Sequence, residues 1–428
     1  MLRFSKKRSG RHDVVTLLDI GTSKICCMIV ALEGDIRDWR PGQPLPARLL
    51  GLGHQRSRGI RAGVVDKIEE VEDALCNAVG QAERMAGITV DDVVISVSCG
   101  RLKSRNFAAS VRLGGATVTR SDLDRVVAGA QRHCQNEGRS LVHLGCIGMR
   151  LDGVGPVADP TGMAGRVLSA DMHAVTADDT PLGNLLMAVE RAHLNVVGFV
   201  ASPLASGLAA TTLEERRVGV LCLDMGGGVT TLSVFADGHF LFTDAIAVGG
   251  SHMTFDIARA LSTPVAEAER IKTLYGNVVG AASDETEYFS YPAVGDEETS
   301  LCQSSRARLR EIVQARADLL FGLVEQRLEE SGLAGYAGQR VVLTGGGSQL
   351  AGVGAYAADR LGKAVRVGRP AAVARMPESL SAPAFSTVVG LLHAVCDPSI
   401  EVRAYQEPET LATGTGSLQR VGQWIRGF

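Results

Sequence analysis

The segment Asp19-Ile20-Gly21-Thr22-Ser23-Lys24 decides how this chain is interpreted, because it joins two predicted strands, residues 14–19 and 25–32. A hairpin turn made of Gly and small hydroxyl residues exposes backbone N–H groups, which together form a concave anion site. Lys24 adds a positive charge for phosphate. Asp19 ends the first strand and is a candidate to hold Mg²⁺ through water, since this ion prefers oxygen ligands and keeps several waters. Many hairpins have Gly and Ser at the turn, so this pattern alone is weak.

A second copy of the pattern occurs about two hundred residues later, in Asp224-Met225-Gly226-Gly227-Gly228-Val229-Thr230. It lies between predicted strands at 218–224 and 229–235, and a third strand follows at 240–247. An internal duplication of this kind is the main organisational feature of the sequence. Two such hairpins facing each other would clamp phosphates from both sides, with Asp19 and Asp224 beside the same metal ion as the candidate catalytic pair.

Two further segments are candidates for ligand contact. Thr344-Gly345-Gly346-Gly347-Ser348 follows a predicted buried strand, and the missing side chains of its glycines let a flat ligand approach the backbone. The alternative is an ordinary strand-to-helix turn. On a predicted helix at 268–276, Glu269 and Lys272 are three residues apart and share one face. Considered alone, that pair is equally well explained as a solvated ion pair.

Composition limits the possible functions. The chain has 428 residues with 45% hydrophobic side chains, enough for at least two cored domains. Its formal net charge of -3 provides no basic bulk, so nucleic acid is not an expected partner. The nine Cys lack zinc-site spacing and are predicted to be reduced thiols. No apolar run is long enough to span a bilayer, and the basic start lacks the apolar core of a secretory signal. The acidic stretch 283–298 is predicted to be a solvated loop.

The four segments, in this order, resemble motifs of the actin, chaperone and sugar-kinase superfamily, and more specifically those of the bacterial FtsA family. Residues 19–24 and 224–228 look like its two phosphate motifs, and residues 201–206 look like its connecting segment. Residues 268–276 are similar to its nucleotide-contacting helix and 343–348 to its adenosine motif. The resemblance covers about residues 14–428. It implies an α/β, actin-like two-lobed fold of duplicated ribonuclease-H-like domains, with an FtsA-type inserted subdomain and a C-terminal amphipathic helix.

The same resemblance implies that the cofactors are ATP and Mg²⁺, with Gly21, Thr22, Ser23, Lys24, Gly226, Gly227, Gly228, Glu269, Lys272, Gly345, Gly346, Gly347 and Ser348 contacting the nucleotide. It also implies a division of the chain into a basic tail (1–13), a first lobe (14–100 and 168–215) interrupted by the insert (101–167), a second lobe (216–256 and 308–380) with a small subdomain (257–307), a closing helix of the first lobe (381–397), a linker (398–416) and a membrane-targeting helix (417–428).

Hydrolysis is expected to be slow. Chaperones of this superfamily carry a Glu on the connecting segment that helps to position water. The matching stretch here, Ser202-Pro203-Leu204, contains no carboxylate, so no general base is evident. The sequence therefore predicts ATP binding that serves as a conformational or assembly switch.

The last residues are predicted to form an amphipathic helix. Wound as a helix, Leu418, Val421, Trp424, Ile425 and Phe428 fall within an arc of roughly 120°. Arg420 and Arg426 lie on the other side with polar neighbours. Aromatic residues with basic neighbours suit an anionic bilayer surface, whereas the alternative is a helix packed on the protein's own core. The predicted location is the cytoplasmic face of the inner membrane at the division site.

The resemblance further implies binding to FtsZ through residues 257–307, self-assembly into an actin-like filament and recruitment of later division proteins. Two other functions remain open at this stage. A small-molecule kinase of the same superfamily would need a base aimed at a substrate hydroxyl, and no clear candidate is found. A chaperone-like ATPase would need a substrate-binding domain, and only about thirty residues follow Pro398.

Overall fold

The computed structural model describes residues 13–34, 36–115, 117–134, 138–295, 301–397 and 399–400. Nearly all of the predicted basic tail, almost the whole linker and the predicted terminal helix lie outside these residues. The strands of the described part are β1 (Val14–Ile20), β2 (Lys24–Leu32), β3 (Ala47–Arg56), β4 (Ile60–Arg61), β5 (Val64–Val65), β6 (Asp92–Val97), β7 (Lys103–Arg112), β8 (Arg139–Leu151), β9 (Val154–Val157), β10 (Val167–Asp178), β11 (Asn195–Ala201), β12 (Val220–Met225), β13 (Thr230–Ala236), β14 (His239–Ile246), β15 (Tyr288–Pro292), β16 (Leu301–Ser305), β17 (Arg340–Thr344) and β18 (Ala364–Val367).

The helices pack on the faces of the sheets and between them. They are α1 (Ile68–Ala86), α2 (Arg120–Cys134), α3 (Asp179–Arg191), α4 (Ser202–Ala210), α5 (Leu213–Val218), α6 (Gly250–Leu261), α7 (Val265–Tyr275), α8 (Arg306–Glu330), α9 (Val353–Leu361) and α10 (Ser386–Cys396). None of the helices in the described ranges has the length and apolar character needed to cross a bilayer.

The two lobes are built on sheets of the same topology. The first sheet has the order β11-β6-β1-β2-β3 and the second the order β18-β17-β12-β13-β14. In both, the first hairpin is antiparallel and the strand beside it, β6 or β17, is parallel to the hairpin's first strand. This correspondence explains the repeated sequence pattern, because Asp19 and Asp224 occupy equivalent ends of β1 and β12.

Helix α1 shows how the sequence determines packing in the first lobe. Its apolar residues recur on one face, and the helix ends at Gly87, whose φ of 70° is the left-handed conformation favoured by glycine. The opposing strand β3 carries Gly51 and Gly53. A Cβ at these positions would lie 2.1 Å from the carbonyl oxygen of Ala82 and 1.8 Å from that of Ala78. These two glycines therefore allow the helix backbone to lie directly on the strand.

The inserted region forms its own small sheet, whereas the sequence predicts only a helix that starts near Ser121 and a surface loop at 152–165. Its antiparallel order is β7-β10-β8-β9, and α2 covers one face over a separate apolar core. Strand β9 lies inside the stretch predicted as loop, and β10 carries the sheet to Asp178, beyond residue 167. These strands are half exposed and rich in Arg, Ser and Gly, so their local strand propensity is low. Their stability comes from pairing with neighbouring strands, which local propensity does not register.

Two other details differ from the sequence analysis. The acidic stretch 283–298 is not simply a solvated loop: Asp284 is buried with its carboxylate 3.2 Å from Nη1 of Arg310, and β15 follows it. The chain also returns to the first lobe before residue 381, since the N–H of Leu49 donates to the carbonyl of Ala374 at 2.9 Å.

Helices α4 and α10 cross between the lobes. Helix α4 packs against β11 of the first lobe and against β12 and β13 of the second, while α10 packs against α4 and the first sheet. At the crossing, a Cβ on Gly390 would lie 1.8 Å from the carbonyl oxygen of Ala205. The absence of a side chain at this position lets the two helices touch backbone to backbone.

Candidate functional site

A cleft of about 920 Å³ lies between the two lobes, where the two Gly-rich hairpins meet. Its volume is within the range of pockets that hold a small ligand. It brings together residues that are far apart in the sequence, and those predicted from the motifs that line it are Asp19, Gly21, Thr22, Ser23, Lys24, Asp224, Gly226, Gly227, Gly228, Glu269, Lys272, Gly345, Gly346 and Gly347. Ser348 is the one predicted contact residue that does not line it.

The two hairpins approach each other closely. A Cβ on Gly227 would lie 1.7 Å from Oγ of Ser23, and one on Gly228 would lie 2.8 Å from the side chain of Thr22. Within the described ranges, the N–H groups of Thr22, Ser23, Gly227 and Gly228 donate to no protein acceptor. Backbone N–H groups that converge without acceptors form a concave site for an anion.

Asp19 is held at the end of β1 by a neighbouring strand. Its Oδ1 accepts a hydrogen bond of 2.7 Å from Oγ of Ser96 on β6. Desolvation by the surrounding protein raises the pKa of Asp19, and the Ser96 hydrogen bond and the charge of Lys24 oppose this effect. The carboxylate is therefore fixed in orientation and incompletely compensated in charge.

Asp224 occupies the equivalent position in the second lobe. Its Oδ2 accepts a hydrogen bond of 3.1 Å from Oγ1 of Thr387 on α10. Desolvation, followed by the negative charge of Asp19, raises the pKa of Asp224 to about 6. The negative charge of Asp19 therefore disfavours ionisation of Asp224, and a bound cation would remove this repulsion.

The donors present fit a Mg²⁺ ion carried by a nucleotide. Asp19 and Asp224 place carboxylate oxygens on opposite sides of the cleft, where they would hold the ion through its bound waters. No cluster of three or more His, Cys, Asp or Glu side chains that could hold a metal occurs in the described residues. Two carboxylates alone leave most of an octahedral coordination sphere to water and phosphate oxygens, which is how Mg²⁺ is usually bound beside phosphates.

Lys24 lies in the cleft but makes contacts with a distant part of the chain. Its Nζ donates to the carbonyl oxygen of Ala384 at 2.5 Å and lies 3.4 Å from the centroid of the Phe385 ring. Desolvation lowers the pKa of Lys24, and the charges of Asp19 and Asp224 act in the opposite direction. The sequence analysis placed this ammonium group beside phosphate and did not predict its contacts with Ala384 and Phe385.

Glu269 and Lys272 form more than a solvated pair at the second-lobe rim. Nζ of Lys272 lies 2.7 Å from Oε2 of Glu269 and also donates to Oγ1 of Thr254 at 2.8 Å and to the carbonyl oxygen of Gly250 at 3.1 Å. The Thr254 hydroxyl donates to the same Glu269 oxygen. Helices α6 and α7 are thus joined by a network in which the Lys272 side chain is only 15% exposed.

The turn after β17 requires glycine. Gly345 has a φ of 80°, and a Cβ there would lie 2.2 Å from Oδ1 of Asp224, whereas a Cβ on Gly346 would meet no atom within 4 Å. Ser348 is buried, and its Oγ donates to the carbonyl oxygen of Gly345 at 2.8 Å. Its hydroxyl closes the turn and does not line the cleft, so the contact of Ser348 with ligand stays a prediction.

Several residues that support the candidate site were missed from the sequence. Ser96, Thr254, Phe385 and Thr387 contact predicted site residues, yet each lies at least fifteen positions from its partner in the chain. Ser96 lies in an ordinary strand pattern and Thr387 in an ordinary apolar helix. No local motif marks them, because their role depends on tertiary contacts.

Family models match two parts of the chain. The model "Cell division protein FtsA" matches residues 221–390, and the model "SHS2 domain inserted in FTSA" matches residues 99–176. Among curated relatives, the cell division protein FtsA of Agrobacterium fabrum is 42% identical, over 99% of this chain and 97% of its own length. FtsA of Neisseria meningitidis is 33% identical over 96% and 97% of the two chains, and FtsA of Escherichia coli is 28% identical over 96% and 97%.

Solved structures with a similar fold are distant in sequence. The PilM–PilN type IV pilus biogenesis complex contains a chain that matches with a TM-score of 0.63 and 19% identity, covering 90% of this chain and 99% of that one. MreB5 of Spiroplasma citri bound to ADP matches with a TM-score of 0.52 and 14% identity, covering 89% and 95%. The predicted fold class is confirmed: the chain has the actin-like two-lobed α/β fold with an inserted SHS2 domain.

Proposed function

Because this chain belongs to the FtsA family of cell division proteins, we propose that it binds Mg·ATP between its two lobes and acts in division as a membrane-tethered scaffold. The observation that carries the proposal is the pairing of Asp19 and Asp224 across a cleft whose hairpins present unpaired N–H groups. That combination suits a polyphosphate with its metal ion better than it suits a neutral ligand.

Each group in the cleft has a role in this proposal. The N–H groups at 22–23 and 227–228 bind phosphate oxygens, Lys24 supplies positive charge, and Asp19 with Asp224 holds the metal ion through water. Bound Mg²⁺ would neutralise charge on the phosphates. Glu269, Lys272 and the backbone at 345–347 hold the nucleoside, where Gly346 leaves open space beside the backbone.

Slow turnover is part of the proposal. The cleft wall next to the hairpins includes Ser202, the first residue of α4, and the segment that follows it offers no carboxylate. A water molecule attacking a phosphate would therefore lack a general base from this element. ATP occupancy, rather than rapid hydrolysis, would then determine the conformation of the two lobes.

Membrane tethering is proposed from the sequence of residues 417–428. Leu418, Val421, Trp424, Ile425 and Phe428 would bury one face in the lipid interface, while Arg420 and Arg426 contact anionic headgroups. One short helix binds weakly, and self-assembly into filaments would add avidity. FtsZ would bind through residues 257–307, so that the chain anchors FtsZ to the inner face of the membrane and recruits later division proteins there.

Sedimentation with anionic liposomes tests the tethering directly. The intact chain and a chain that ends at Thr415 are compared with and without Mg·ATP, and each is then mixed with FtsZ. We expect the intact chain to pellet and to carry FtsZ with it, while the truncated chain stays in solution but still binds FtsZ. If the intact and truncated chains stay in the supernatant under every condition, the tethering proposal is wrong.

A further inference from the structure

A short segment beside the cleft, residues 383–387, contacts both lobes. It touches Lys24 of the Gly-rich hairpin in the first lobe and Asp224 in the second lobe. We call it the bridging segment. On the second-lobe side, the carbonyl oxygen of Pro383 accepts the N–H of Gly345 at 3.2 Å, and the hydroxyls of Ser386 and Thr344 lie 2.6 Å apart. Thr387 then donates to Asp224. These bonds fix the bridging segment to the strand ends of the second lobe.

The first-lobe side of the bridging segment depends on one ring and one carbonyl. The Phe385 ring lies edge-on to His54 of β3, with centroids 6.1 Å apart, and its face covers Nζ of Lys24 at 3.4 Å. The carbonyl oxygen of Ala384 accepts a hydrogen bond from the same Nζ at 2.5 Å. Lys24 therefore connects the first phosphate hairpin to the bridging segment.

These contacts use the same ammonium group that would have to meet phosphate. A charge-assisted hydrogen bond to a phosphate oxygen requires direct contact with Nζ, whereas the aromatic ring occupies one side of that atom. A cation and an aromatic ring attract each other, and displacing the ring costs affinity by about twofold to thirtyfold.

We propose that Phe385 competes with the phosphates of a bound nucleotide for Lys24, so that phosphate binding releases the bridging segment from the first lobe and shifts helix α10. The inference rests on the proposed function, since it requires a nucleotide in the cleft. Phe385 is then a positioning residue that sets nucleotide affinity and couples occupancy of the cleft to α10.

A tryptophan next to the C-terminal end of α10 can report this shift. Near that end, the His393 ring lies 6.1 Å from the ring of Trp39, a buried side chain of the first lobe whose Nε1 donates to Pro44. The chain has two Trp residues, and the other is Trp424. In a Trp424→Phe background, Trp39 emission therefore reports the position of α10 relative to the first lobe.

The test measures dissociation constants for ATP, ADP and adenosine by calorimetry in the presence of Mg²⁺, in the intact chain and three variants. Phe385→Leu removes the ring and keeps apolar volume, and Phe385→Tyr retains the ring. Phe107→Leu is the matched control, because Phe107 also stacks with a cation, Arg105 at 5.2 Å, and with His133 at 4.9 Å, but lies in the inserted domain.

We expect Phe385→Leu to bind ATP and ADP roughly twofold to thirtyfold more tightly, with adenosine affinity unchanged. Phe385→Tyr and Phe107→Leu should bind ATP and ADP with dissociation constants close to those of the unsubstituted chain. In the Trp424→Phe background, ATP should change the emission of Trp39, and the ATP concentration at half of the change should equal the dissociation constant from calorimetry. Phe385→Leu should reduce the size of this emission change.

The possible failures are distinguishable. If neither the intact chain nor any variant binds nucleotide, the proposed function and this inference are both wrong. If nucleotide binds but Phe385→Leu has unchanged or lower affinity while it melts like the unchanged chain, competition for Lys24 is refuted and the proposed function stands. If Phe385→Leu does not fold, Trp39 decides the matter: emission that does not respond to saturating ATP overturns the inference.

Discussion

Gly227→Ala is predicted to weaken nucleotide binding by forcing the two hairpins apart. The added Cβ would lie 1.7 Å from Oγ and 3.0 Å from Cβ of Ser23. Rotation of the Ser23 side chain relieves the first contact but not the second, so the hairpins must separate. Gly227 does not have a positive φ, so the effect is steric and involves no backbone strain. Overpacking of this kind costs about 1–3 kcal/mol, which corresponds to a loss of affinity of about fivefold to 150-fold.

The assay is calorimetric titration with Mg·ATP, combined with a double-mutant cycle. In a Ser23→Gly background both Ser23 atoms are absent and only Oγ of Ser251, at 3.3 Å, remains close, so Gly227→Ala should change affinity by less than about threefold there. Gly354→Ala in α9 is the control, because its Cβ would meet no atom within 4 Å. If Gly227→Ala binds ATP as well as the unsubstituted chain, or if Ser23→Gly does not reduce its effect, the proposal that the two hairpins close on the nucleotide is wrong.

Three further predictions concern other contacts. Since the folded chain holds the pKa of Asp224 at about 6, above its ordinary value, stability without Mg²⁺ should fall as pH rises from about 4 to 6. Asp224→Asn should remove the Asp224 contribution to that fall, leaving the contribution of Asp19, and should be more stable at pH 7 by on the order of 3 kcal/mol in urea unfolding; an unchanged pH profile would contradict this. Gly390→Ala should lower the free energy of unfolding by about 1–3 kcal/mol or more, because the carbonyl of Ala205 cannot move away, whereas Gly354→Ala should be neutral or raise it by up to about 1 kcal/mol. Lys272→Met should weaken ATP binding and loosen α7 against α6, seen as faster amide exchange in both helices, and unchanged exchange would show that the Thr254 network is not structural.

The hairpins were predictable because their sequence pattern is local. Strand β1 was predicted at 14–19 and is found at Val14–Ile20, and β12 was predicted at 218–224 and is found at Val220–Met225. Runs of buried apolar residues that end at Asp and Gly define both strands without reference to the rest of the chain. The duplicated pattern then led to the two-lobed fold.

The inserted sheet was not predictable in the same way. In β7 the side chains of Phe107, Ala109 and Val111 alternate with exposed polar or small residues, but Lys and Arg begin the strand. Strand β8 contains two glycines, which lower local propensity. These strands are stabilised by pairing with β10 and by the cover of α2, and neither is visible in a short window of sequence.

The candidate site was predicted as a set of motifs but not as a set of contacts. Spacing identified Asp19 and Asp224, yet nothing local showed that Ser96 and Thr387 orient them. The same limit applies to Ser348, whose hydroxyl bonds to the carbonyl of Gly345 in the same turn. It also applies to Phe385, whose ring contacts Lys24 although the two residues are far apart in the sequence. Side-chain direction and long-range pairing depend on the folded structure.

The measurement that tests the central claim most directly is calorimetric titration of ATP, in the presence and in the absence of Mg²⁺, into the intact chain, the Asp19→Asn variant and the Asp224→Asn variant. The account predicts one site per chain, tighter binding when Mg²⁺ is present, and loss of that Mg²⁺ dependence in either variant. Binding that is independent of Mg²⁺ and unaffected by both substitutions would contradict the assignment of the interlobe cleft as the nucleotide site.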